Sequence, residues 1–196
     1  FQTPAPYQSF RVDTATEDST VTFTDGKNVT HSIEYKSQIP LTPVLKAVWH
    51  TGMYVMAAWF LLTNLRFMLR LRRSRTPYPV EGCRYPVYLA EGLPSPCLFG
   101  LLHPAIYLTP AAAESPETLR HVLAHETTHA RHGDPLWSLL RCVCLAVYWF
   151  DPLVWVAAVV SRRDCELACD EGALQRLGEA ERIPYGQTLL RLIPVA

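Results

Sequence analysis

A chain of 196 residues is long enough for one folded domain with flanking elements, and its 18 basic and 18 acidic residues cancel to zero formal charge, which argues against a general nucleic-acid binder. Charged residues make up only 18% of the chain, below the roughly one quarter usual for a soluble domain, and the shortfall is concentrated in one place.

Residues 1–42 are polar, especially Thr14 to Thr24, and read as an extracytoplasmic loop or flexible lead-in, with Asp25-Gly26 suited to a hairpin turn. Residues 43–66 read as a transmembrane helix. Within them, Ala47 to Leu65 is a run of 19 residues without Asp, Glu, Lys or Arg, holding one histidine (His50) and Trp49, Tyr54 and Trp59. As a helix it would be about 28 Å long, close to the thickness of a bilayer's hydrocarbon core. Arg66, Arg70, Arg72, Arg73 and Arg75 follow at once. A basic run is often a solvated face or a nucleic-acid patch, but directly after an apolar 19-mer it acts as a positive-inside signal and places the C-terminal end of the helix in the cytoplasm. The position of the run and the order of charge exclude a signal peptide.

Residues 67–134 are expected to be a cytoplasmic β-sheet and a metal-binding helix. Tyr85 to Leu89 and Ala105 to Leu108 are short runs rich in β-formers among prolines, and Cys97-Leu98-Phe99-Gly100 is suited to an edge strand between them. In zinc peptidases, an edge strand beside the metal helix holds extended substrate by main-chain hydrogen bonds; a small sheet that only covers the helix is the plainer alternative. The helix is expected over about 116–132: Ser115 as cap, Pro116 at the first position, Glu117 at the positive end of the dipole, and Gly133 at the stop.

That helix carries His125-Glu126-Thr127-Thr128-His129. Residues four apart share a helical face, so both imidazoles can approach one zinc ion, with Glu126 placed to take a proton from metal-bound water. Two helical histidines alone are more often packing or surface residues; the intervening glutamate and the capped helix favour a metal. Asp134 and His132, just beyond, are placed to hydrogen-bond a ligand or a substrate oxyanion, but each is more often a C-terminal cap or a surface residue, and both are left out of the expected site.

Residues 135–163 read as a membrane-associated broken helix. Leu136 to Val160 is apolar with three tryptophans, but Arg141 and Asp151-Pro152 interrupt it and Arg162-Arg163 close it, which is too polar for a simple lipid-exposed span. Residues 164–196 are expected to supply a third-ligand helix and a C-terminal helix. Glu166 and Asp170 share one face. Glu166 is the expected third zinc ligand, and Asp170 the carboxylate that accepts the free ring N–H of a ligand histidine. A charged, solvated face would be the commoner reading of that spacing alone; 37 positions after His129, the ligand role is preferred. Cys165 and Cys169, and Cys142 and Cys144, offer a competing metal site, but paired Cys-x-x-Cys knuckles are absent, and reduced structural thiols are expected.

Several of these pieces, taken together, resemble the BlaR/MecR-type integral-membrane zinc metallopeptidases, the gluzincin-like antirepressor and signal-transducer group. They are Pro96, Gly100 and Pro104-Ala105-Ile106-Tyr107-Leu108; His125 to His129; Tyr148-Trp149-Phe150-Asp151-Pro152-Leu153-Val154-Trp155; Glu166-Leu167-Ala168-Cys169-Asp170; and Tyr185-Gly186-Gln187-Thr188-Leu189-Leu190. One departure is Asp151, where the family more commonly has asparagine. The resemblance implies an α+β fold with the metalloprotease domain carried between transmembrane helices. It implies His125, His129 and Glu166 as Zn2+ ligands, Glu126 as general base and Asp170 as the orienting carboxylate. The implied setting is multi-pass in a bacterial cell membrane, with the active site on the cytoplasmic side. The implied partners are the bilayer and a protein substrate, either a repressor or the protein itself, with no direct nucleic-acid contact. The chain is then the catalytic segment of a longer receptor. A non-catalytic metal-binding transmission module and a housekeeping membrane zinc protease are the alternatives; Glu126 speaks against the first, and the Tyr-Trp-Phe-Asp-Pro segment against the second.

Overall fold

The computed structural model describes residues 10–13, 18–24, 30–36 and 41–192. The chain divides into two units, residues 1–51 and 52–196. In the first, β1 (Phe10–Asp13), β2 (Asp18–Thr24) and β3 (Thr30–Lys36) form an antiparallel sheet in sequence order, with Val12 opposite Val21 and Val21 opposite Ile33. A loop or lead-in was the expectation for this region, and the sheet corrects it. Asp18 to Thr24 alternates threonine with valine and phenylalanine, the period-two pattern of a strand, despite its polar composition. The expected Asp25-Gly26 turn lies outside the described residues.

Helix α1 (Leu41–Ser74) starts in the first unit and continues into the second. Among the described residues it is the one helix long and apolar enough to cross a membrane. It does not stop at residue 66. The arginines after Leu65 are good helix formers, and nothing breaks the backbone until the strand at Arg75–Pro77. The last turns of α1 have a packing role: Leu71 is fully buried, with Phe67 beside it.

Four short strands follow: β4 (Arg75–Pro77), β5 (Val87–Ala90), β6 (Cys97–Phe99) and β7 (Ala105–Leu108), in the spatial order β4-β5-β7-β6. Strands β5 and β7 are parallel; the outer pairings are antiparallel, and β6 is an edge. All four residues of β7 are buried, because alternate side chains enter two cores. Ile106 and Leu108 join Val87, Ala112 and Val122 on one face, while Ala105 and Tyr107 join Leu71 and Ala90 on the other. The sheet thus lies between the end of α1 and the next helix.

That helix, α2 (Pro116–His132), has the expected ends. Ser115 accepts from the Thr118 N–H at 3.1 Å, and Gly133 closes it in the left-handed region at φ 72°. Helix α3 (Asp134–Val147) begins at the next residue. A break at Tyr148–Asp151 precedes α4 (Pro152–Leu177), so the expected interruption at Asp151-Pro152 is present. Its physical basis is a cap: Asp151 accepts from the Leu153 N–H at 2.9 Å and Pro152 takes the first helical position. Asparagine would cap equally well, which accounts for the departure from the family pattern.

Helix α4 then runs unbroken, so the expected boundary between 163 and 164 falls inside one helix. Arg162, Arg163 and Asp164 change the polarity of its surface without interrupting the backbone. The polar Arg141 is accounted for as well: its guanidinium turns inward and donates to Ser161 Oγ at 3.2 Å and to Cys165 Sγ at 3.4 Å, joining α3 to α4. A short 3-10 turn (Glu179–Glu181) leads into α5 (Arg182–Leu192).

The cap at Asp151 predicts an asymmetric pair of variants. Asp151→Ala should lower stability by about 1 kcal/mol, whereas Asp151→Asn should be near neutral. Thermal unfolding of the chain in detergent checks this, and equal losses from the two would remove the capping role.

Candidate metal centre

Helices α2 and α4 approach unusually closely, and small size makes this possible. A Cβ added at Gly172 would lie 2.8 Å from Thr128 Cγ2, and Thr128 itself is fully buried. This crossing brings the acidic face of α4 over the histidine face of α2. His125 Nε2 and His129 Nε2 come to 2.9 Å of one another, and Glu166 Oε2 lies 3.7 Å from the first and 3.6 Å from the second. These separations define a triangle whose corners all lie about 2.0 Å from one central point, the length of a zinc–nitrogen or zinc–oxygen bond. Glu126, between the two histidines in sequence, is only 5% exposed.

Each imidazole is held from behind. Asp170 Oδ1 lies 3.1 Å from His125 Nδ1, and Asp134 Oδ2 lies 2.5 Å from His129 Nδ1. A ring N–H donated to a carboxylate leaves the opposite nitrogen with its lone pair free, and that nitrogen is Nε2 in both rings. The carboxylates are themselves anchored by neutral donors. The Tyr185 hydroxyl of α5 donates to Asp170 Oδ1 at 2.8 Å, and the Cys169 thiol donates to Asp134 Oδ2 at 3.1 Å. Burial and the neighbouring carboxylate push both the Cys169 and Tyr185 pKa values up, keeping each a donor at neutral pH.

All five residues expected at the site, His125, Glu126, His129, Glu166 and Asp170, are therefore brought together. Three further residues join them: Asp134, whose contact with a ligand was one reading but was left out of the expected site, and Cys169 and Tyr185, which were not foreseen in these roles. Asp134, set aside as a cap or surface residue, is turned back onto His129 because the left-handed Gly133 reverses the chain immediately before it. Cys169, expected as a structural thiol, is fully buried against Asp134. Tyr185 carried no assigned role, although it opens the closing motif. All six cysteines are free thiols.

Two other groups of potential ligands occur among the described residues, His129 with Asp134 and Cys169, and Glu117 with His121 and Glu181. In both, the histidine is already engaged by hydrogen bonds to neighbouring side chains. In the first, Asp134 takes both the His129 and the Cys169 contact; in the second, the buried His121 is used up by Thr188 Oγ1 at 2.9 Å and Glu181 Oε2 at 3.1 Å. In the set at His125, His129 and Glu166 the three donor atoms surround one central point at bonding distance from each.

The charges are mutually dependent. Burial works against charging His125, but hydrogen bonds to Asp170 and Glu166 and the field of Glu126 outweigh it and push the ring up to about 10. His129 is raised in the same way, through Glu166 and Asp134. The two rings hold the Glu166 carboxyl well below the usual range. Glu126 moves in the other direction: burial raises it, and the histidines and the Leu98 backbone N–H offset this only in part. Cys97, partly buried near Glu126, is pushed up to about 12 by burial and by that carboxylate and stays a neutral thiol.

Residues 5–195 match the peptidase family described as BlaR1 peptidase M56. The chain belongs to this family. Membership makes it a metallopeptidase-type protein of the BlaR/MecR group and implies a metal ion. It is similar to regulatory protein BlaR1 of Bacillus licheniformis, 28% identical over 179 residues that cover 84% of this chain and 30% of that protein. The methicillin resistance MecR1 protein of Staphylococcus aureus is 27% identical over 104 residues, covering 52% of this chain and 18% of the relative. The MecR1 protein of Staphylococcus epidermidis matches to the same extent. The chain thus spans less than a third of the length of these M56 relatives.

Because the carboxylates around His125 push its ring up to about 10, metal binding at its Nε2 should displace a proton. Calorimetric titration of the chelated chain with Zn2+ at pH 7, in buffers of different ionisation enthalpy, should report net proton release. Without bound metal, the His125 ring is raised above its unfolded value near 6.5, so its contribution to stability is complete below that value. It is lost as pH climbs towards 10. Binding without proton release would contradict the charge arrangement.

Proposed function

We propose that this chain is the catalytic segment of a membrane-embedded zinc metalloendopeptidase, part of a bacterial signal-transducing receptor that cleaves itself or a transcriptional repressor. The observation that carries this reading is the convergence of His125, His129 and Glu166 on one point beside the buried Glu126. Two nitrogens and one carboxylate oxygen from two facing helices are the donor set of gluzincin-type sites; they suit zinc and leave one coordination position open. A structural zinc site would need neither the open position nor Glu126.

When bound, the ion supplies Lewis acidity to a water molecule and to the scissile carbonyl. Glu126 acts as general base and then acid: its carboxyl takes a proton from the attacking water and delivers it to the leaving amine. A buried carboxyl with a raised pKa suits that two-way transfer near neutral pH. The Leu98 N–H, from edge strand β6, fixes the Glu126 carboxylate. An extended peptide that adds to the open edge of β6 would therefore run alongside the base. His125, His129 and Glu166 orient the ion, and Asp170 and Asp134 orient the rings.

The membrane setting rests on surface chemistry. Helix α1 is long and apolar enough to span, with arginines at its C-terminal end marking the cytoplasmic side. The outer faces of α3 and α4 expose Leu136, Trp137, Val143, Leu153, Val156 and Val159. The apolar part of α4, Pro152 to Val160, is only about 14 Å long, so this hairpin dips into the bilayer and does not cross it. The substrate is a protein, and nucleic acid is not contacted directly.

In the full-length protein, Glu126→Gln should keep stoichiometric zinc while cleavage of self or repressor falls by a factor on the order of 10² or more. Normal cleavage by that variant would sink the general-base assignment. Glu166→Ala should instead lose the metal on dialysis; elemental analysis showing one zinc per chain would remove Glu166 from the ligand set.

A further inference from the structure

Helix α5 is attached to the rest of the fold in an unusual way. It buries two residues, Tyr185 and Thr188, and each reaches a histidine of α2. Thr188 Oγ1 meets His121 Nδ1 at 2.9 Å, and the Tyr185 hydroxyl meets His125 Nδ1 at 2.9 Å. Glu181, just before α5, takes the other nitrogen of His121 and pairs with Arg120 at 2.5 Å. The apolar Ile183 and Leu190 of the same helix face outward. Docking of α5 therefore combines polar contacts to the histidine stripe at 121 and 125 with Leu192 packed against the core between sheet and α2.

Tyr185 sits at the junction of that stripe and the metal centre. Its hydroxyl donates to Asp170 Oδ1 at 2.8 Å and can accept from the His125 ring, whose Nδ1 lies 3.1 Å from the same Asp170 oxygen. The three groups close a triangle in which every proton has an acceptor, and Tyr185 is only 2% exposed. A tyrosine filling space in the core would need one acceptor anywhere. This one bonds both a ligand ring and the carboxylate that orients it.

We propose that Tyr185 is a positioning residue of the metal centre, holding the His125 ring and Asp170 in register, so that docking of α5 and metal affinity are coupled. This rests on the assignment of His125, His129 and Glu166 as metal ligands. By linkage, whatever displaces α5 weakens metal binding, and metal binding secures α5 by the same factor.

The test is Co(II) titration of the full chain in detergent, read by its visible ligand-field absorption. Tyr185→Phe should bind Co(II) 10- to 100-fold more weakly, the range for losing a group that orients a ligand, and with an altered band shape. Asp170→Asn breaks the same triangle from the carboxylate side, and the double variant should lose little more than the worse single one. Thr188→Val, which loosens α5 but keeps the phenol, should weaken affinity while leaving the band shape of the bound form unchanged. Wild-type affinity and spectrum in Tyr185→Phe would overturn the proposal, as would fully additive losses in the double variant. A wild-type chain that binds no Co(II) would instead overturn the ligand assignment, and the proposal with it.

Discussion

The arrangement of this molecule depends on where two protons sit. An imidazole binds a cation through one nitrogen only if its proton is held on the other, and a free histidine divides its proton between both. Here the Nδ1 side of each ring faces a carboxylate, Asp170 for His125 and Asp134 for His129. Both Nε2 lone pairs are thereby committed to the same point in space. A neutral donor behind each carboxylate, the phenol of Tyr185 or the thiol of Cys169, keeps it from rotating away. The two halves are built alike from different residue types, and the two donors come from different helices.

Packing supplies the precision that this chemistry requires. The close crossing at Gly172 and Thr128 sets the distance between the ligand helices. On its other side, α2 lies against the sheet through Val122, Ile106 and Leu108, so the helix that carries three of the site residues is fixed from two directions. The same sheet brings the edge strand β6 close enough for its Leu98 N–H to reach Glu126. The short strands thus form part of the site as well as a cover for the helix.

Features set by local chemistry were legible in the sequence. The caps at Ser115 and Gly133, the strand at Ala105–Leu108 and the break before Pro152 each follow from residues within one turn of the feature. The His-Glu-x-x-His spacing and Glu166 with Asp170 were legible because helical periodicity turns sequence distance into a shared face. Asp134 was legible only as an open choice, because a carboxylate after a helix looks the same whether it turns towards solvent or back onto the helix; the sign of φ at Gly133 decides. Tyr185 lies 60 residues from His125, and only tertiary docking of α5 brings them together. The sheet at β1–β3 was obscured by its polar composition, although its alternation was there to be read. A run of charge inside α4 suggested a boundary where the backbone has none.

The continuity of α4 has a mechanical meaning. One rigid rod joins the apolar residues from Leu153 to Val160 with Glu166 and Asp170, and about 21 Å separate its start from Glu166. A rod of this kind transmits twist. Turning it by a single residue's worth, about 100°, would carry Glu166 off the histidine pair entirely, and a few degrees would already change the three-atom triangle. Exposed apolar side chains and the acidic residues of the site share one shaft, so a torque applied at one end is felt at the other.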